Sequence, residues 1–227
     1  IMNIKKLGLI AASVAMLAGS VTNAAFADGH KNVKVGMITT LSGGGAGLGI
    51  DVRDGFMLAV KQSGNSNIDV VIEDDQRKPD IAVQLADKMI QSEKVDILTG
   101  IIWSNLAMAV VPAANAQGKF YLSPNAGPSP LAGKGCHPNY FNVAWQNDNL
   151  HEAAGAYSND AGYKNSFILA PNYPAGKDAL TGYKRMFKGK LSGELYTKLG
   201  QTDYAAEIAQ IRASGADSVF FFLPGGM

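Results

Sequence analysis

The sequence predicts an α/β fold built of two doubly wound parallel-sheet lobes with a cleft between them. Three observations carry the prediction. Short β-branched runs alternate with segments whose apolar residues recur at helical spacing, the pattern of parallel βαβ units with helices laid over a sheet. A Pro/Gly-rich stretch, Pro124 to Pro138 (PNAGPSPLAGKGCHP), interrupts that alternation. A second alternating run begins at Asn165, so the chain divides into two such units joined near residues 143–150.

The elements follow in order. Val33 to Thr40 is a β-branched strand that ends in a Gly-rich loop, Ser42 to Gly49, and Ile50 to Val60 continues as a helix. Ile68 to Ile72 is the second strand, followed by Glu73, Asp74 and Asp75, read as a solvated acidic loop that caps the next helix. Pro79 opens that helix, where its missing N–H costs nothing, and Ile81, Leu85, Met89 and Ile90 line one face. Val95 to Leu98 is the third strand and residues 104–117 an Ala-rich helix. Phe120 to Leu122 is the fourth strand and Tyr140 to Val143 the fifth, with a helix from about Asn149 to Asp160. In the second unit, Phe167 to Ala170, Glu194 to Lys198 and Ser218 to Leu223 read as strands, and Lys177 to Phe187 and Tyr204 to Ala213 as helices. The last strand is continuously apolar (VFFFL), which predicts burial on both faces, as in the interior of a parallel sheet. The chain stops four residues after Leu223 with no covering helix behind that strand, so the sequence is expected to be a fragment cut within its second lobe.

Residues 1–27 read as a secretory signal rather than as part of the fold. Lys5 and Lys6 form a positive start, Leu7 to Leu17 an apolar stretch, and Ala25-Phe26-Ala27 a cleavage site. The apolar stretch is too short to span a bilayer. Cleavage after Ala27 leaves an exported chain beginning at Asp28, and loss of the two lysines takes the formal charge from +1 to −1.

Composition excludes several function classes. With 20 Lys+Arg against 19 Asp+Glu, the chain has no bulk positive charge to draw nucleic acid. One Cys and three His leave no material for a zinc cluster or a disulfide framework. Cys136 is an odd cysteine in an exported chain, either buried and free or lacking its partner. Catalytic motifs are absent as well. The loop Ser42–Gly49 fits neither G-x-G-x-x-G nor a Walker loop in any register. It reads either as an anion-holding helix N-terminus or as a tight turn with no ligand. No serine lies in a G-x-S-x-G elbow.

The binding signal is stronger. In open α/β sheets, ligands sit beyond the C-terminal ends of the strands. There this chain places Ser42 and the loop glycines including Gly47, then Trp103, Ser104 and Asn105, then Asn125 and Gly127, then Tyr173, and last Pro224. Small hydroxyls, amides, helix N-termini and two aromatic rings suit a compact ligand with one anionic end and an apolar body. Trp103 is either a ring that stacks on that ligand or a lid over the sheet edge.

Taken together, VGMITTLSGGGAGLGIDVRDGF, IEDDQRKPDIAVQLADKMI and the small-residue loops resemble the leucine-type branch of type I periplasmic solute-binding proteins. These are the capture subunits of ABC importers. The resemblance covers Val33 to Met227, and the acidic pair Asp74-Asp75 followed by Pro79 is its most specific part. It implies that Ser104, Asn125 and Gly127 hold a ligand carboxylate, and that Tyr173 supplies an aromatic contact from the second lobe. Trp103 departs from the small residues usual at that position in leucine binders. The stretch from Ile101 to Asp148 is more similar to members that bind aromatic carboxylates such as benzoates and phenylpropanoids.

The resemblance therefore implies the type I periplasmic-binding-protein fold, with lobe 1 over residues 28–146 and a partial lobe 2 over 147–227. The implied activity is capture of an amino acid or aromatic acid in the periplasm by hinge closure, without chemical turnover. The expected partners are that small carboxylate and an ABC permease in the inner membrane. No cofactor, metal or nucleic acid is expected, and the protein is expected to be a monomer. Two other readings share the fold: a sensory or receptor ligand-binding domain, and an exported α/β enzyme.

Overall fold

The structure, a computed structural model, describes residues 32–227. The secretory-signal reading of residues 1–27 lies outside the described residues. Fifteen elements are described: β1 (Val33–Thr39), α1 (Ala46–Ser63), β2 (Ile68–Asp74), α2 (Pro79–Gln91), β3 (Ile97–Thr99), α3 (Ser104–Ala116), β4 (Phe120–Ser123), α4 (Ser129–Ala132), β5 (Tyr140–Asn142), α5 (Asn147–Asp160), β6 (Asn165–Pro171), α6 (Pro174–Met186), β7 (Lys190–Thr197), α7 (Ala205–Ala213) and β8 (Ser218–Phe221).

They form two sheets. The first has five strands in the order β2-β1-β3-β4-β5, and the second has three in the order β7-β6-β8. Every pairing is parallel. This is the doubly wound arrangement that the alternation of elements predicts. In both sheets the central strands carry the buried side chains, Met37 and Ile38 of β1 in one and Phe167 to Ala170 of β6 in the other.

The first core closes because α2 and α3 turn small and apolar residues inward. Ala82, Ala86, Met89 and Ile90 are the buried face of α2. That face includes the predicted Met89 and Ile90, whereas Ile81 and Leu85 are only partly buried, because the alanines let the helix approach the sheet more closely than the larger side chains do. Leu106, Ala107, Val110, Val111 and Ala114 do the same for α3. In the second unit α5 and α6 pack backbone to backbone. A Cβ added at Gly182 would lie 2.1 Å from the Asp148 carbonyl oxygen, and one at Gly155 would lie 2.4 Å from that of Tyr183.

Three expectations are corrected here. The first helix begins at Ala46 rather than Ile50, so half of the supposed loop, Gly47 included, is helical. The turn into it is Gly43-Gly44-Gly45, with Gly45 at φ 94°, a conformation open to glycine and strained for other residues.

The acidic stretch is not a solvated loop. Strand β2 runs through Asp74, and Asp75 is fully buried. Neither carboxylate caps α2. Asp74 Oδ1 accepts from the Leu41 and Gln76 N–H groups at 2.8 and 2.9 Å, and Glu73 pairs with Lys88 at 2.6 Å.

Among the described residues the last strand is covered on one face only. β8 pairs with β6 alone, at the edge of its sheet. Because side chains alternate faces along a strand, Phe220 turns inward to stack on Tyr183 with centroids 4.5 Å apart. Val219 and Phe221 face the other way and are 43% and 62% exposed.

Candidate functional site

The C-terminal ends of the strands from both sheets meet around a cavity of about 230 Å³. Ile102, Trp103 and Ser104 reach it from the β3–α3 junction, and Asn125 and Ala126 from the loop after β4. Trp145, Asn147, Leu150 and His151 come from the crossing between the sheets and the start of α5. Tyr173 and Ala175 come from the β6–α6 turn, Phe222 and Pro224 from beyond β8, and Leu48 from α1. The lining is mainly apolar, and among the described residues it contains no Asp, Glu, Lys or Arg.

Its polar side is the start of α3. Ser104 and Asn105 are the first two helical residues after the Trp103 cap. Their N–H groups precede any intrahelical acceptor, and the helix dipole leaves partial positive charge there. The Ser104 hydroxyl accepts a hydrogen bond from Asn147 Nδ2 at 3.1 Å, and the same Nδ2 donates to Asp178 Oδ2 at 3.0 Å. Asn125 Nδ2 donates to the Ile102 carbonyl at 3.0 Å, tying the β4 loop to the end of β3.

Trp103 is 1% exposed and held from every side. Its indole N–H donates to Thr40 Oγ1 at 3.0 Å, and Thr40 donates onward to Asp75 Oδ1 at 2.6 Å. The Arg77 guanidinium lies 5.5 Å from the ring centroid, and the Tyr173 ring is tilted against it at 6.2 Å. Gly45 and Gly225 press on its benzo edge, where a Cβ would come within 2.3 and 2.7 Å respectively. Trp103 is thus a packed wall of the cavity rather than a ring open for stacking. The open ring is Trp145, 45% exposed on the same cavity.

Asp75 anchors this arrangement. Gln76 and Arg77 adopt the left-handed region at φ 52° and 59°, a strained pair for residues with side chains. The Arg77 N–H bonds to Asp75 Oδ1 at 2.8 Å, as Gln76 N–H does to Asp74, so two carboxylates fix the turn that aims Arg77 at Trp103. Burial raises the Asp75 pKa against the hydrogen bonds from Thr40 and Arg77 that favour the charged form.

His151 packs edge-on against Phe222 and Phe220, with centroids 4.9 and 5.6 Å away. Burial lowers its pKa, and the nearby Asp178 and Asp148 oppose the shift. A depressed histidine favours the folded state above its unfolded pKa of about 6.5 and loses that contribution as pH falls below it. Burial also pushes the Tyr173 phenol far above its ordinary pKa, so it stays protonated.

Of the residues singled out from the sequence, Trp103, Ser104, Asn125, Tyr173 and Pro224 line this cavity. Ser42, Gly47, Asn105 and Gly127 do not. Ser42 is exposed and hydrogen-bonds Asp74. Gly47, on the first turn of α1, borders a shallow hollow shared with Gly225 and Gly226. Asn105 follows Ser104, with its side-chain Oδ1 buried and unpartnered. Gly127 packs under the Trp145 carbonyl. Sequence reasoning missed Trp145, Asn147 and His151. The signal was their place in the crossing between the two units, beside the strand ends that were weighed. Cys136 is exposed and free, beyond α4 and away from the cavity lining.

A larger hollow, about 540 Å³, lies behind β8 between Tyr157, Tyr183 and Phe220. It lies at the N-terminal end of β8, on the side opposite the C-terminal strand ends that line the first cavity.

The comparisons with known proteins agree with this geometry. Residues 32–227 match the family described as periplasmic binding protein. A protein of Brucella abortus named Leu/Ile/Val-binding protein homolog 6 is 29% identical over 98% of this chain and 57% of its own length. The chain therefore spans little more than half the length of the curated relatives it matches. A solute-binding protein of an ABC transporter from R. palustris, solved in complex with benzoate, superposes with a TM-score of 0.82. It shares 32% identity over 86% of this chain and 56% of that one. A second from R. palustris, solved with 4-hydroxybenzoate, gives a TM-score of 0.81 at 28% identity over 86% and 55%. On the family match and the shared two-sheet architecture, this chain belongs to the periplasmic binding protein family and has its type I α/β fold.

Proposed function

We propose that this chain is the ligand-capturing part of a solute-binding subunit of an ABC importer, and that it takes a small aromatic carboxylate in the cavity between the two sheets. One observation carries the choice of ligand. The cavity joins free helix N–H donors to an apolar body. A carboxylate is met by the start of α3 and the Ser104 hydroxyl. The benzoate and 4-hydroxybenzoate complexes of the R. palustris proteins support the same ligand class.

In this reading lobe 1 covers residues 28–146 and lobe 2 begins at residue 147, and closure of the lobes shields the ligand from water. Tyr173 and Pro224 close over a ligand seated on Ser104 and Asn125. The protein works in the periplasm after removal of residues 1–27, binds as a monomer, hands its cargo to a membrane permease and returns the ligand chemically unaltered. A second reading, capture of a branched-chain amino acid, is favoured by the name of the Brucella relatives.

A thermal-shift screen separates the two, because a ligand that binds only the native state raises the melting temperature by mass action. Benzoate and 4-hydroxybenzoate are expected to raise it, with leucine, isoleucine and valine leaving it unchanged. Ser104→Ala is expected to weaken benzoate binding by roughly 10- to 100-fold, the effect of losing one hydrogen bond to a charged group. A shift with the aliphatic amino acids alone would overturn the aromatic reading.

A further inference from the structure

We propose that His151 supplies the counter-charge for the bound carboxylate, neutral in the ligand-free protein and protonated as the anion enters. The inference rests on the reading of this cavity as a carboxylate site and adds the coupling of that site to protons.

Among the described residues the cavity lining has no Lys or Arg. A carboxylate taken out of water needs hydrogen bonds and charge to offset its lost hydration. The start of α3 supplies N–H groups and a partial charge, but no full one. Two lining side chains can titrate, His151 and Tyr173. The Tyr173 phenol gains no positive charge in any state, so among the described lining residues His151 is the group able to become a cation near neutral pH.

The surroundings of His151 allow the change. Its ring is held on the first turns of α5 by edge contacts to Phe222 and Phe220. Two acids act on it, Asp178 of α6 and Asp148 of α5. Asp178 is engaged by Asn147 Nδ2 and the Ser129 N–H, both at 3.0 Å. Asp148 is engaged by Arg185 at 2.9 Å and by Gln146 at 2.7 Å. Arg185 is in turn paired with Glu152. Asp148 is thus paired with a cation and Asp178 is held by neutral donors, yet burial outweighs both and favours the neutral imidazole until another negative charge arrives. A bound carboxylate is that charge, and it raises the affinity of His151 for a proton. By reciprocity, the protonated histidine raises the affinity for the carboxylate.

The expected signature is proton uptake. In calorimetric titrations of benzoate into the protein at pH 7.5, run in phosphate and again in Tris, the apparent enthalpies should differ. The difference should correspond to a fraction of a proton taken up per ligand, because a tenfold coupling raises the histidine pKa by about one unit. Affinity should fall as pH rises between the histidine pKa of the free protein and the higher one of the complex, and level off above the latter. His151→Gln keeps a polar group of similar size without the charge change. It should still bind benzoate, about tenfold more weakly, with equal enthalpies in the two buffers. Wild-type binding with equal enthalpies in both buffers would overturn the inference alone. So would uptake that survives in His151→Gln, which would place the proton elsewhere, such as on the ligand. Absence of any benzoate binding by the wild type would overturn the carboxylate reading and the inference together.

Discussion

Trp103→Ala should lower the stability of the protein by about 3–5 kcal/mol, the range for removing a buried large aromatic side chain, and should abolish ligand binding. The ring is 1% exposed and belongs to the main core. Its removal leaves a void beside Gly45 and Gly225, whose lack of side chains means that neither can fill it. It also takes away the indole N–H that donates to Thr40, and it frees Arg77 from the face of the ring. The total is a large fraction of the 5–15 kcal/mol that a folded domain typically has. Urea denaturation measures it. Trp103→Phe separates packing from hydrogen bonding, because it restores most of the apolar volume and leaves the Thr40 oxygen without its indole donor. Its expected cost is about 1–3 kcal/mol. A Trp103→Ala protein as stable as the wild type, with binding alone lost, would show that the ring serves the ligand rather than the fold.

Gly127→Ala is the second large effect. A Cβ there would lie 1.9 Å from the Trp145 carbonyl oxygen and 2.7 Å from Asn142 Nδ2. The first of these is backbone and cannot rotate away. The Gly127 carbonyl also accepts the Asn147 N–H at 2.8 Å. A displaced Gly127 therefore moves Asn147, whose side chain joins Ser104 to Asp178. The expected cost is about 1–3 kcal/mol of overpacking, read as a lower melting temperature, together with weaker benzoate binding. Unchanged melting with lost binding would restore Gly127 to a direct role at the ligand.

These two residues show what the sequence could and could not reveal. The alternation of β-branched runs with helical segments made the two-sheet α/β fold legible, because strand and helix periods differ and Pro and Gly punctuate them. Placing the site beyond the strand ends found Trp103, Ser104, Asn125, Tyr173 and Pro224 for the same reason. Orientation was not legible. Trp103 and Trp145 are alike in sequence, and only packing makes one a wall and the other an open ring. Gly127 sits beside Asn125 in a small-residue loop, yet what fixes it is a carbonyl 18 positions further on. Asp74 and Asp75 looked like loop acids because charge suggests solvent. Besides the local Gln76 and Arg77 N–H groups, their donors include Leu41 and Thr40, distant in sequence, which become visible only in three dimensions. The apolar run of β8 predicted burial on both faces, whereas among the described residues only the side carrying Phe220 is covered.

The central claim is that a small aromatic carboxylate binds between the two sheets against the start of α3. A crystal structure of the protein grown with benzoate tests it most directly. The carboxylate should lie within hydrogen-bond distance of the Ser104 hydroxyl and of the Ser104 and Asn105 N–H groups, with the ring among Trp145, Leu150 and Phe222 and His151 beside the anion. Benzoate found instead in the hollow behind β8, or bound in the cleft with its carboxylate turned away from α3, would contradict the account.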